Sequence, residues 1–363
     1  MSLITRTIDN QWLRSACYFA LLLSVNACQT HPPKKLLTPN NQILSQKLLS
    51  LKKQLVKQDQ SLGFKRRTKL TGITSALIIK DDEIIFEEYF SKTTATKHHQ
   101  LKSAGKSIIS AVVGIAIDQH FLKPIDTPIY QYLPYQNYEN WDERKAKLSL
   151  AHLMSMTAGW QCGHISQYRK HCGSSMFDHD DPYKWLLDRP MEATPGERFN
   201  YNDANPYFVS VLLSIGLMQD LRDFSQKYLF EPIGIKSNFF NHQGLTTREM
   251  GIFGQLYLNK GQWKGKQIIS RDWIEQTIKP RYQFKKTGFA DSYGYFWWNK
   301  EFEVAGKKYP SFFAAGNGGQ YIVVFPEQSM VVVFTGTNFN RYGVMNQPMM
   351  LIRETILPAI SGD

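Results

Sequence analysis

Leu101-Lys102-Ser103-Ala104-Gly105-Lys106-Ser107-Ile108-Ile109-Ser110-Ala111-Val112-Val113-Gly114-Ile115-Ala116-Ile117 is the stretch on which the fold turns. Ile108, Ile109, Val112, Val113, Ile115 and Ile117 nearly encircle a helix that begins at about Ser103. The spacing therefore predicts a helix deep in a core, not one lying on a surface. Ser103 and Lys106 stand three residues apart on one face of its first turn, which brings an ammonium beside a hydroxyl. A helix N-terminus adds free backbone N–H groups and a positive dipole end, both of which favour a developing oxyanion. A lysine half-buried there is expected to have a lowered pKa and to serve as a base toward Ser103. Ser50-Leu51-Lys52-Lys53 repeats the spacing, but in a polar first helix, where it reads as a solvated face.

Outward from that helix the chain alternates in character. Upstream, Leu44, Leu48, Leu49, Leu51 and Leu55 recur at helical spacing, and Ile73–Ile79 and Ile84–Phe90 read as two strands joined at Asp81-Asp82. Downstream, helices and loops run from about 120 to 250, with a turn at Pro195-Gly196 and an apolar helix over Tyr207–Leu217. Tyr293–Trp298, Tyr321–Phe325 and Met330–Thr335 then read as strands, with a turn at Pro326-Glu327-Gln328 and a last helical stretch over about Met345–Ile356. Sheet at both ends with helices between them predicts an α+β protein in which a helical region is inserted into a sheet domain.

A serine nucleophile needs a group that carries its proton to the leaving group. Tyr201, in Pro195-Gly196-Glu197-Arg198-Phe199-Asn200-Tyr201-Asn202-Asp203, stands just ahead of an apolar helix and is the candidate. Tyr135 and Tyr138 offer similar local patterns without such a helix, and His152 reads as a residue that packs or bonds locally. The chemistry also needs a strand edge whose backbone N–H completes an oxyanion hole with that of Ser103. Lys286-Thr287-Gly288 lies in a polar stretch, whereas Gly316-Asn317-Gly318-Gly319-Gln320 runs straight into a strand, and its glycines let a substrate lie against backbone. The second site is preferred. A G-x-S-x-G elbow, an H-E-x-x-H pair and a Walker phosphate loop are all missing from the sequence.

The 363 residues include 42% hydrophobic and 20% charged residues, which excludes a disordered, collagenous or coiled-coil chain. The net charge of +12 raises nucleic acid, an anionic membrane surface or an acidic polymer as partners. Arg6 and Arg14 precede the apolar run Ala16–Leu23, the order of a secretory signal, and Val25-Asn26-Ala27-Cys28 resembles a bacterial lipobox with Cys28 as the acylated residue, an ordinary signal peptide cleaved nearby being the alternative because Asn26 is unusual there. Gln29 after the cysteine is similar to signals for the outer membrane of Gram-negative cells. Export and the lack of a concentrated basic patch oppose nucleic acid, so the basic surface is assigned to anionic lipid or cell wall. Export also makes Cys162 and Cys172 a natural disulfide, with a zinc cluster including His164 and His171 as the rival.

Six segments in register carry a family resemblance: Leu101–Ile108, Leu153-Met-Ser-Met-Thr157-Ala-Gly159, Pro195–Tyr201, Thr246–Met250, Gly261–Gly265 and Gly316–Tyr321. Together they resemble the serine β-lactamase and penicillin-binding protein superfamily, closest to its class C-like esterase and 6-aminohexanoate-dimer hydrolase branch. The resemblance implies a β-lactamase/transpeptidase-like fold: an antiparallel sheet flanked by N- and C-terminal helices, with an inserted helical domain. Residues 1–27 would be a signal peptide and 28–42 a tether. Residues 43–363 would be the domain, with sheet parts at about 43–100 and 247–363 and the helical part at about 101–246.

It further implies that Ser103 is acylated, Lys106 activates it and Tyr201 passes the proton on, with the oxyanion between the N–H groups of Ser103 and Gln320. Asp203, Asn317, Gly318 and Gly319 would touch substrate, with Trp160 and Tyr168 at the rim, and neither cofactor nor metal is expected. Two departures stand out: Asn317 where a lysine commonly precedes Thr-Gly, and Asp203 where asparagine is common. Without that lysine a substrate carboxylate loses its partner. Amide or ester hydrolysis on a small-molecule or peptide-like substrate therefore fits better than D-Ala-D-Ala peptidase or β-lactamase activity. A non-catalytic envelope binding protein of the same fold would have no physical need for Ser103, Lys106 and Tyr201 together.

Overall fold

The computed structural model describes residues 38–60, 71–133, 137–163, 172–285 and 288–361. The signal segment with Cys28, and Tyr135, His164, Tyr168, His171, Lys286 and Thr287, lie outside these residues. Eight strands form one antiparallel sheet: β1 (Ile73–Lys80), β2 (Glu83–Tyr89), β3 (Tyr282–Gln283), β4 (Ser292–Tyr293), β5 (Trp298–Val304), β6 (Lys307–Gly316), β7 (Gln320–Phe325) and β8 (Met330–Gly336). Their spatial order is β2-β1-β8-β7-β6-β5-β4-β3, so the first strand of the chain pairs with the last, Ile73 opposite Gly336 and Lys80 opposite Met330.

Strands β1, β7 and β8 are buried along almost their whole length because both faces of the sheet are covered. On one face Leu77, Ile79, Ile322, Val324, Val331 and Val333 meet α3 (Lys106–Asp118), α4 (Ala204–Leu217) and α5 (Thr247–Leu258). On the other, Ala76, Ile78, Val323, Phe325, Val332 and Phe334 meet Leu48, Leu51 and Leu55 of the N-terminal helices and Ile352 and Ile356 of the C-terminal helical run. Alternation thus sorts side chains between two cores and not between core and water. Where α5 crosses the sheet it carries glycine: a Cβ on Gly251 would come within 2.8 Å of Leu77, and one on Gly254 within 2.5 Å of Val331. Buried hydroxyls tie the crossing together, Ser75 Oγ lying 2.7 Å from Thr247 Oγ1 and 2.6 Å from Thr335 Oγ1.

Several expectations change in detail. The leucine-patterned first helix is two helices, α1 (Pro39–Lys47) and α2 (Leu49–Gln60), broken at Leu48, and Leu49 faces solvent. Residues 39–42, read as tether, already belong to α1, where Asn41 is buried and its Nδ2 donates to Glu83 at 2.8 Å. The strand expected over Tyr293–Trp298 is two strand ends, β4 and β5, joined by a tight turn. The longest strand, β6, was not expected at all. Its Pro310 pairs with Glu301 of β5, beyond the point where β7 begins to pair at Phe312, so the missing N–H leaves no ladder bond unmade. At the β1–β2 hairpin both Asp81 and Asp82 have positive φ, 49° and 60°, as a two-residue turn of that hand requires.

Candidate active site

Ser103 lies not on α3 itself but on the 3-10 turn Lys102–Gly105 that feeds it. Lys102 is left-handed, with φ +52°, a conformation that a non-glycine residue holds only when its surroundings dictate it. Those surroundings close in tightly. A Cβ on Gly105 would fall 2.2 Å from the Phe239 ring, and one on Gly316, at the end of β6, would fall 2.0 Å from the Leu101 carbonyl oxygen. Glycine at these two positions lets an aromatic ring and a strand end approach the serine turn, so the turn, α3 and the sheet edge converge at one place.

At that place Lys106 Nζ donates to Ser103 Oγ at 2.9 Å and to Asp203 Oδ1 at 2.6 Å. It also lies 5.1 Å from the centre of the Tyr201 ring. Lys106 is buried and Tyr201 nearly so. The other side of Tyr201 is packed by Trp298, stacked at 5.4 Å, and by the edge of Tyr293 at 6.1 Å. Burial works to lower the lysine's pKa, but the Tyr201 oxygen and the Asp203 carboxylate outweigh it and hold the ammonium above its ordinary range. This corrects the expectation of a lowered lysine. What the sequence does not display is that Asp203 turns its carboxylate onto Lys106.

The cluster forms the floor of a cavity of about 680 Å³. Ser103, Lys106, Tyr201, Asp203 and Asn317 all line it, and its walls are largely aromatic, with Tyr207, Phe239, Phe240, Phe289 and Trp298. Pattern reasoning did not single out Phe239, Phe240 or Trp298 as site residues. The adjacent aromatic pair at 239–240, in a connection between helices, is the local signal that could have pointed there.

Gln320 is not at the cavity. It is the first residue of β7, with β6 on one side and β8 on the other, and its side chain is spent on Gly336, donating to the carbonyl at 2.6 Å and accepting from the N–H at 3.3 Å. The backbone that faces Ser103 belongs instead to Gly316 and Asn317, where β6 ends. The Asn317 side chain is occupied: its Nδ2 donates to Asn340 Oδ1 at 2.7 Å and its Oδ1 accepts from Asn340 N at 2.7 Å. Gly318 and Gly319, with φ +99° and +97°, also do not line the cavity; they turn the chain back into β7. Trp160 is likewise not at the rim. It is buried in the helical core with its ring 6.0 Å from Phe208, because its backbone bridges to Met191 and directs the indole inward.

Cys162 and Cys172 form a disulfide, which takes both sulfurs away from the zinc alternative. The bridge bears on the site, since the Cys162 carbonyl accepts from Asn200 Nδ2 at 2.5 Å, one residue before Tyr201. His152 bonds locally, its Nδ1 accepting from Ser149 N at 3.2 Å. Tyr138 belongs to a remote cluster, 4.8 Å from the Tyr130 ring.

The Beta-lactamase family model matches residues 64–245. A 6-aminohexanoate-dimer hydrolase of Paenarthrobacter ureafaciens is 21% identical over 291 residues, covering 74% of this chain and 73% of the relative. Among solved structures, the octameric penicillin-binding protein homologue from Pyrococcus abyssi superposes with a TM-score of 0.61 at 15% identity, over 86% of this chain and 78% of its own. A D-stereospecific amidohydrolase from Streptomyces sp. superposes with a TM-score of 0.58 at 10% identity, over 85% of this chain and 98% of its own. The match spans half of the chain and includes the Ser103–Lys106 turn and Tyr201, and the sheet with its inserted helices is the fold of these structures: the chain belongs to the β-lactamase family and is a serine hydrolase.

Proposed function

We propose that the protein cleaves an amide or ester bond of a small-molecule or peptide-like substrate through an acyl-enzyme on Ser103. The observation that carries this reading is the Lys106 ammonium bridging Ser103 Oγ and Asp203 on the floor of an aromatic cavity. Ser103 Oγ bonds to the substrate's carbonyl carbon, and the bond from that carbon to the leaving nitrogen or oxygen breaks. The Ser103 proton passes to Tyr201 as Tyr201 gives its own to the leaving group. The carbonyl oxygen is received by the backbone N–H groups of Ser103 and Asn317, the latter in place of Gln320. Water then attacks the acyl carbon, one of its protons returns through Tyr201 to Ser103, and the acid leaves.

The likeness to a 6-aminohexanoate-dimer hydrolase and to a D-stereospecific amidohydrolase supports an amide substrate. The clasped side chain of Asn317 supports a substrate without a carboxylate at that position. A fluorophosphonate should label the purified protein on Ser103, located by mass spectrometry, and Ser103→Ala should lose both the label and the turnover of a chromogenic ester. Absence of label with retained turnover would sink the reading. Penicillin is expected to leave no lasting adduct.

Export and lipid attachment at Cys28 belong to the same reading, supported by Arg6, Arg14 and the apolar run before Val25–Cys28. In a Gram-negative cell the enzyme would then stand on the periplasmic side of the outer membrane. Cys28→Ser should move it from the membrane to the soluble fraction and abolish palmitate incorporation.

A further inference from the structure

Lys106 grips the carboxylate of Asp203, one of the two positions at which the sequence departs from the pattern of its family, and the placement of Asp203 is unusual for an aspartate. Asp203 occupies the N-cap of α4, a 14-residue helix, yet its side chain makes no capping bond to that helix. The neighbouring Asn202 does the local work, its Oδ1 accepting from Asn205 N at 3.2 Å. Aspartate is among the strongest N-caps because its carboxylate accepts from the first-turn N–H groups, so a carboxylate turned away from that role is spent elsewhere. It is spent on Lys106, at 2.6 Å, where the lysine side chain is 7% exposed and the aspartate 34%.

We propose that Asp203 is a positioning residue that keeps Lys106 an ammonium throughout acylation, so that the Ser103 proton leaves through Tyr201 and not through Lys106. This rests on the Ser103 acyl-enzyme reading. A buried ammonium with a carboxylate at 2.6 Å has no free electron pair for a proton, and its N–H already points at Ser103 Oγ. In this arrangement the lysine acts as a fixed positive charge beside the nucleophile and the tyrosine. The proton balance closes because Tyr201 accepts one proton as it releases another.

The titratable and charged groups around Lys106 are few. Tyr201 and Asp203 face it from the segment leading into α4, and Tyr293 of β4 lies behind Tyr201. Lys102 lines the same cavity with its Nζ on Gln100 Oε1 at 2.8 Å, as does His242, and the end of β6 contributes the uncharged Asn317.

The test is the pH profile of single-turnover acylation by a chromogenic ester, over about pH 6 to 10, for the wild-type protein, Asp203→Asn and Asp203→Glu. In wild type the ammonium should persist across this range. In Asp203→Asn burial acts unopposed by that carboxylate, Lys106 loses its proton earlier, and an alkaline fall-off in acylation should appear within this range that wild type does not show. Asp203→Glu, which retains the charge, should show no such fall-off even at a lower rate, an outcome that a merely structural role for Asp203 does not produce. A profile in Asp203→Asn without an alkaline fall-off, or acylation that rises with pH as a freed lysine base would make it, would overturn the proposal. Failure of the wild-type protein to form any Ser103 adduct would overturn the underlying reading as well, which separates the two.

Discussion

The chain holds two serine–lysine pairs of identical spacing, and they differ in everything but spacing. Ser50 and Lys53 sit on the outer face of α2, both exposed, while the same helix buries Leu51 and Leu55 against the sheet. Ser103 and Lys106 straddle the junction of a 3-10 turn and α3, with the lysine buried, bonded to its serine and paired with an aspartate 97 residues away. A solvated lysine three residues from a serine has water for every proton and no reason to face the hydroxyl. A buried one must find its partners within the protein, and those partners fix its direction. Reactivity at such a pair therefore comes from burial and from the third residue, not from the spacing that first draws attention to it.

This contrast can be broken or sharpened by substitution. The largest effect is expected at Ser103→Ala, which should lower ester turnover by at least about a thousandfold, while Ser50→Ala leaves it unchanged. Lys106→Ala should follow with a loss of about 10²- to 10⁴-fold in the acylation rate read by stopped-flow, against no change for Lys53→Ala. Equal losses at both lysines would erase the distinction. Leu51→Ala probes what α2 does contribute: about 2–5 kcal/mol of unfolding free energy, measured by urea denaturation. Gly105→Ala should cost about 1–3 kcal/mol in the same assay, because the new methyl meets the Phe239 ring. The smallest effect is expected at Ser50 itself, where alanine should shift stability by no more than about 0.5 kcal/mol.

Much of this was legible in the sequence because burial writes itself into apolar spacing. The encircling isoleucines and valines of α3, the runs that became β1, β7 and β8, and the Asp81-Asp82 turn all announce themselves. The site was legible as three segments, Ser103–Lys106, Tyr201–Asp203 and Gly316–Asn317, which the fold brings to one cavity. What stayed hidden was of another kind. Strand β6 mixes Lys307, Lys308 and Pro310 with aromatics, so no alternation marks it, yet its end borders the site. The choice between Asn317 and Gln320 depended on which strand lies nearer Ser103, a matter of sheet order that no local pattern encodes. Trp160 looked like a rim residue beside a disulfide, but its backbone bridge turns it inward. The charge state of Lys106 hinged on the direction of one carboxylate.

The pairing of the first strand with the last has a consequence for how the molecule is made. Thr74 and Thr335 touch across 261 residues of sequence, so β1 and β2 emerge from the ribosome long before the strand they lie beside exists. Until β8 is synthesised, β1, mostly apolar, presents an open edge, the kind of surface that invites association with other chains. The closing of so long a loop also makes folding slow compared with helical proteins of equal size. A chain that stops short of about residue 330 therefore lacks more than a terminus: it leaves the hairpin at its beginning without a neighbour, and the cavity between the two ends without a frame.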